Sequence, residues 1–263
     1  MLILARLAAL ALCATAFALA HPVAARDKMK VAAPHPTLLH TSPLQLAKSL
    51  GLFEKEDLDV EPLYTLGGAD LLLVCSTTSP LAINDPDRAA GDLRTLATLA
   101  APLGIRICYE ALSWGRHVNR WHQAWDIVRR CDHAGVGLNL DSFHMAVHGD
   151  DSPETLARLA EVPAEKIFLV QLADYFFEYS DRQADIIELA RHQRLFPGEG
   201  LHDVRPLVQL LESRGYRGDY TFEVFNDDYV NSDPMVVAQR GMQAARWLGD
   251  HAVTRAAAVS TIL

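Results

Sequence analysis

With 263 residues, 50% of them apolar, the chain is long enough to bury a sizeable core as one α/β domain or one domain with an appendage. Its formal net charge of −9 argues against a nucleic-acid surface, which needs clustered Lys and Arg, so a small-molecule partner is expected. The 4 cysteines, Cys13, Cys75, Cys108 and Cys131, show no metal-ligand spacing; Cys75 and Cys108 fall inside apolar runs and read as core thiols, with no disulfide framework.

In chain order, residues 1–25 read as an export signal: Arg6, the apolar run LAALALCATAFALA, then small residues at Ala18 and Ala20 before HPVAARDK. The run is too short for a stable membrane anchor, so the leader points to the periplasm, with the cytoplasm as the alternative if it is not used. Residues 26–67 read as strand, helix, strand: MKVAAP, SPLQLAKSLGLFEKE and LDVEPLY, with Ser42-Pro43 as a helix start and Gly51 as a stop. From Gly68 strand and helix alternate. The strand LLLVC leads to a helix capped by Asp85, with Pro86 in its first turn and Gly104 beyond its end. A helix over 119–133 carries Trp121, Trp125 and Val128 on one face. Ser152-Pro153-Glu154 opens a short helix, 203–213 forms another that stops at Gly215, and Asp233-Pro234 starts a last one running to Gly249. The stretch after Asp174, rich in Tyr and Phe, reads as a longer excursion through RHQRLFPGEG. A tail follows from 251 to 263.

Four short apolar runs each end in an oxygen-bearing side chain: RICYE at Glu110, VGLNLD at Asp141, IFLVQ at Gln171 and YTFE at Glu223. About thirty residues separate the first three of these positions from one another, about one strand–helix unit each. Parallel strands so spaced carry their polar ends to one edge of one sheet, which makes a site.

Two resemblances attach to these motifs. PLQLAKSLGLFEKEDLDVE, followed by Gly67 and Gly68, resembles the start of periplasmic substrate-binding proteins of the nitrate, taurine and thiamine-precursor type. From about 68 to 247, the succession GADLLLVCS, YEALSWGRHVN, NLDSFH, EKIFLVQLAD, RHQRLFPGEG and FEVFND resembles bacterial 3-dehydroshikimate dehydratases of the xylose-isomerase-like barrel group. That resemblance implies a TIM-barrel-like α/β fold, a divalent cation held by Glu110, Asp141, Gln171 and Glu223, and removal of water from 3-dehydroshikimate to give protocatechuate, as in quinate breakdown. The chain departs from the group in length: only the last five β/α units of an eight-unit barrel are visible, and the substrate-binding-protein-like segment stands where the first three would be. The strands near 28–33 and 58–64 are expected to dock beside the Leu71 strand and cover its edge.

The residues support the same chemistry on their own terms. Three carboxylates and an amide oxygen are hard donors that suit Mg²⁺ or Mn²⁺, and without a cation the carboxylates would raise one another's pKa values. His144, three positions past Asp141, is the expected base. Arg194 is expected to pair the substrate carboxylate, with Arg191, His192 and Trp114 lining the mouth. Singly, each has a plainer reading: a strand-end carboxylate, a loop cap, a solvated charge, or for Trp114 packing between helices. The alternatives to a dehydratase are a sugar-phosphate isomerase or epimerase of the same group, an inactive fused or truncated chain, and a periplasmic solute-binding module. A homo-oligomer is compatible with all of them.

Overall fold

The computed structural model describes residues 71–176 and 182–252, together with the strands at 27–34 and 58–65. The leader at 1–25, the helix read at 42–56 and the tail beyond 252 lie outside the described residues. β1 (Asp27–Pro34) and β2 (Leu58–Thr65) pair in parallel, and β1 meets β3 (Leu71–Cys75) antiparallel through Val31 and Val74. Parallel pairing then continues from β3 through β4 (Arg106–Glu110), β5 (Val136–Asp141) and β6 (Ile167–Leu172) to β7 (Asp219–Phe222). Among the described residues this makes one 7-stranded sheet in the order β2-β1-β3-β4-β5-β6-β7. Of the two strands expected to dock beside the Leu71 strand, β1 lies next to it and β2 lies beyond β1, and the five strands β3 to β7 form an incomplete barrel wall.

Why these segments take these forms is legible locally. α1 (Pro86–Ala100) starts where Asp85 accepts from the Arg88 amide at 2.9 Å, and it buries Ala90, Leu93, Ala97 and Ala100 on one stripe. A 3₁₀ turn at Ala101–Leu103 intervenes before Gly104, whose φ of 72° suits glycine. α2 (Trp121–Cys131) begins later than Asn119 because the Gln123 side chain accepts from the Asn119 and Arg120 amides at 2.8 and 3.0 Å, closing the helix there. It buries Trp121, Ala124, Ile127, Val128 and Cys131 and ends at Asp132, with φ of 44°. α4 (Pro153–Leu159) has the expected Ser152 cap, α6 (Arg205–Ser213) precedes Gly215, and α8 (Pro234–His251) runs past Gly249.

Three helices are additions to the sequence reading. The excursion after Asp174 contains α5 (Gln183–His192), which buries Ile186, Leu189 and Ala190, and two single-turn helices, α3 (Ser142–Ala146) and α7 (Asp227–Val230), follow β5 and β7. The main core lies between the outer face of the sheet and α1, α2, α4, α6 and α8, with Ile107, Leu138, Leu140, Val170 and Leu172 fully buried. Each such Leu or Ile contributes about 1.5–3 kcal/mol by leaving water. Cys75, Cys108 and Cys131 are buried thiols, as expected. Among the described residues no helix is long and apolar enough to cross a membrane.

One irregularity sets the alignment of the site. Leu138 pairs with Ile167 but Asn139 pairs with Leu169, so β6 carries one extra residue, Phe168. Its ring lies against Gly137, where a Cβ would come within 2.6 Å of it, so only glycine fits. After this slip Asp141 stands opposite Gln171.

Candidate metal centre

Glu110 and Asp141 are the last residues of β4 and β5, Gln171 is next to last in β6, and Glu223 follows β7 directly, so all four reach one edge of the sheet. Glu110, Asp141, Gln171 and His144 are buried, and Glu223 is 19% exposed. His144 lies on α3, whose first turn is capped by Asp141 Oδ1 accepting from the Phe143 amide at 2.7 Å. This cap swings His144 back over the strand ends. Its Nε2 lies 3.8 Å from both Glu110 Oε1 and Asp141 Oδ2. One donor atom from each of Glu110, Asp141 and His144 falls within 4.8 Å of the others.

Arg194 enters the same space. At 2% exposure it donates from Nη1 to Asp141 Oδ2 at 2.7 Å and to Glu223 Oε2 at 3.0 Å, with its guanidinium 4.4 Å above the Phe143 ring. Gln171 Nε2 donates to Glu223 Oε1 at 3.0 Å, and Gln171 Oε1 accepts from Asn139 Nδ2. Three of the four residues expected to share a cation are thus joined in one network, Asp141 and Glu223 through Arg194 and Gln171 through Glu223, while Glu110 stands outside it in the close donor trio with Asp141 and His144.

The electrostatics follow from burial and from that arginine. Burial, aided by the Asp141 charge, pushes Glu110 up to about 7. Burial would raise Asp141 too, but Arg194 and His144 outweigh it and hold Asp141 at about 2. Glu223 is raised well above the usual range, chiefly by burial. Burial drives His144 down to about 3 against the pull of Asp141, so its imidazole is neutral. Its Nδ1 meets the Ser113 hydroxyl at 3.0 Å and the Ser113 amide at 3.3 Å, while Arg194 Nη2 stands 3.5 Å from Nε2.

The residues fit a divalent cation on their own chemistry. Glu110 Oε1 and Asn139 Oδ1 are buried with no hydrogen-bond partner, a cost of about 1–3 kcal/mol each that a bound cation or its water would remove. Carboxylates crowded with one imidazole are a hard-to-borderline donor set.

The other expected residues divide. Trp114 packs edge-on against His144 with ring centroids 5.1 Å apart, so it walls the centre. Arg191 is exposed, and His192 pairs with Asp227 at 3.0 Å on the surface. Cys75, Ser113, Asn139 and Phe143 were missed. Asn139 had a signal: two positions before Asp141 on one strand, it shares that residue's face.

Residues 56–251 match the xylose isomerase-like TIM barrel family. The chain belongs to that family. Among curated relatives, it is 44% identical over 182 residues to a 3-dehydroshikimate dehydratase of Pseudomonas aeruginosa, covering 69% of this chain and 27% of that protein. A 3-dehydroshikimate dehydratase of Pseudomonas putida is 39% identical over 182 residues with the same coverage, and an inosose isomerase of Halalkalibacterium halodurans is 26% identical over 138 residues, 52% of this chain and 45% of that one. The chain therefore spans about a quarter of the length of these two dehydratases. Among solved structures, a xylose isomerase-like TIM barrel/4-hydroxyphenylpyruvate dioxygenase fusion protein superposes with a TM-score of 0.63 at 32% identity, covering 81% of this chain and 33% of that one. The IOLI protein with a bound zinc atom also gives 0.63, at 20% identity over 87% of this chain and 78% of its own, a likeness of fold.

Proposed function

We propose that this chain is a lyase that dehydrates 3-dehydroshikimate to protocatechuate at a divalent-cation centre. The observation that carries the reading is the convergence of buried Glu110, Asp141 and His144, with one Glu110 oxygen left without a partner. The dehydratase relatives favour this reaction over the isomerisation or epimerisation of a sugar.

Glu110, Asp141, Gln171 and Glu223 would hold the cation, Mg²⁺ or Mn²⁺. Gln171 Oε1 accepts from Asn139 and keeps a second lone pair for this purpose. A cation bound there supplies Lewis acidity to the substrate's ketone oxygen at C3, making the C4 proton more acidic.

His144 is the base. The Ser113 amide donates to Nδ1 at 3.3 Å, so acceptance at Nε2 requires the ring proton to move to Nδ1, where Ser113 Oγ at 3.0 Å is its acceptor. Burial keeps the imidazole unprotonated. It takes the C4 proton and returns it to the hydroxyl leaving C5, so that one water departs; the remaining dienone shifts a proton from C6 to the C3 oxygen and becomes aromatic. Trp114 keeps one side of the imidazole dry. Arg194 balances Asp141 and Glu223, and with those carboxylates engaged by a cation its guanidinium is available to the substrate carboxylate. Arg191 and His192 would serve only at the outer mouth.

A second reading is favoured by the close donor trio: His144 Nε2 is itself a ligand. The two readings separate on His144→Ala, which abolishes Mn²⁺ binding if the imidazole is a ligand and spares binding while removing activity if it is the base.

The test is appearance of protocatechuate absorbance from 3-dehydroshikimate in metal-supplemented purified protein. Glu110→Gln and His144→Ala are each expected to cost about 10²–10⁴-fold. Activity surviving both would defeat the proposal. The leader read at 1–25 assigns this activity to the periplasm, and cell fractionation decides between that and the cytoplasm.

A further inference from the structure

The mechanism leaves one polar group of the centre unused. Cys75 is the last residue of β3 and pairs in register with Glu110 on β4. The Cys75 thiol, 7% exposed, lies 3.0 Å from Glu110 Oε2 and donates to it. The neighbouring backbone is fastened at the same point: the Ser76 amide donates to the Glu110 carbonyl at 2.8 Å, and Ser76 Oγ accepts from the Leu112 amide at 3.0 Å. One end of β3 therefore grips both the main chain and the side chain of Glu110. The other carboxylate oxygen, Oε1, has no partner and faces His144 Nε2 at 3.8 Å.

We infer that Cys75 is a positioning residue for the cation centre, holding Glu110 Oε2 so that Oε1 is presented to the cation. The inference rests on the cation reading given above and adds to it the group that orients its first ligand. A thiol suits the task for a physical reason. As a weak donor it fixes the carboxylate's rotation while drawing little charge from it, and Glu110 keeps its basicity for the ion. An arginine or lysine there would neutralise the ligand, and an aspartate would repel it. Partners that orient metal-bound carboxylates are typically worth about 10–100-fold in metal affinity.

The experiment measures Mn²⁺ binding by calorimetry, with no substrate present, in the parent chain, Cys75→Ala and Cys75→Ser. The serine hydroxyl keeps a donor at the same place. Expected is a loss of about 10–100-fold in Mn²⁺ affinity for Cys75→Ala and recovery of most of it in Cys75→Ser. Equal affinity in parent and Cys75→Ala overturns the inference, and so does an equal loss in both variants. If Cys75→Ala does not fold, the infrared S–H stretching band that disappears in Cys75→Ser decides: it must shift when Mn²⁺ is added, because the carboxylate it donates to changes its charge distribution, and an unmoved band refutes the assignment. A parent chain that binds no Mn²⁺ defeats the cation reading itself, an outcome distinct from a parent that binds while Cys75→Ala binds as well.

Discussion

Arg194 holds a full positive charge at 2% exposure because Asp141 and Glu223 close on it from two strands and Phe143 lies beneath it. Removing only the cation from such a group is expensive, since it strands two carboxylates in a poorly solvated place. Arg194→Met is therefore expected to destabilise the metal-free chain by about 3–5 kcal/mol in urea unfolding. Added Mn²⁺ should restore more stability to the variant than to the parent, because the ion replaces the missing charge. Equal stabilisation of both would show that the arginine and the cation do not share these carboxylates. Ser113 makes a subtler demand. Its hydroxyl is the acceptor that a proton on Nδ1 needs while Nε2 acts as base, so Ser113→Ala should lower kcat by about tenfold or more with little change in KM, whereas loss of a substrate contact would raise KM.

Among the elements, the loop from Arg194 to Asp203 is held by carboxylates at both ends. Asp174 accepts from the amides of Tyr175, Gly198, Gly200 and His202, all within 3.1 Å. A Cβ on Gly200 would sit 2.4 Å from Asp174 Oδ1, which explains that glycine. Glu199 takes a two-pronged contact from Arg240 on α8 at 2.8 and 2.9 Å and a bond from Tyr229 on α7 at 2.6 Å. Burial would raise the Glu199 pKa, but these donors outweigh it and hold it below the ordinary value. A depressed carboxyl adds stability above its unfolded pKa and loses it as the pH falls through the folded one. Glu199→Gln should therefore be less stable than the parent at neutral pH, and urea titrations should show the gap closing on acidification. A gap independent of pH would contradict the assignment.

The loop and site also show which features were legible in sequence. Caps and stops gave α1, α4 and α6 almost to the residue, because Asp85, Ser152 and Gly215 act through their immediate neighbours. The strand-end carboxylates were legible because parallel strands are apolar runs that a charge visibly interrupts. α5 was not, since Tyr and Phe before it suggested a loop and its buried face of Ile186, Leu189 and Ala190 is short. Arg194 could be selected but its partners could not, because a guanidinium spanning from a loop to two strands depends on tertiary distance alone. Cys75 read as a core thiol for the same reason, its contact with Glu110 lying across the sheet.

For the molecule as a whole, five parallel strands make an arc with two sides to protect. On one, β1 joins β3 through the Val31 and Val74 pair; on the other, β7 is only partly buried. Native-state hydrogen exchange should find its slowest amides in β4, β5 and β6, with β7 faster. β3 should resemble the central strands if β1 covers it, and amides there exchanging as fast as those of β7 would count against that cover.

The slip at Phe168 has a consequence for what the chain can tolerate by way of insertion or deletion. Side chains on a strand alternate between faces, and because Phe168 is the supernumerary residue, losing it leaves Leu169 opposite Asn139 and Gln171 opposite Asp141 on the site's side. One residue gained between Leu169 and Val170 acts otherwise: Gln171 would then point outward among the helices, and Val170 would project into the ring of carboxylates. A single added codon in this strand would disconnect one quarter of the proposed ligand set without altering a single ligand.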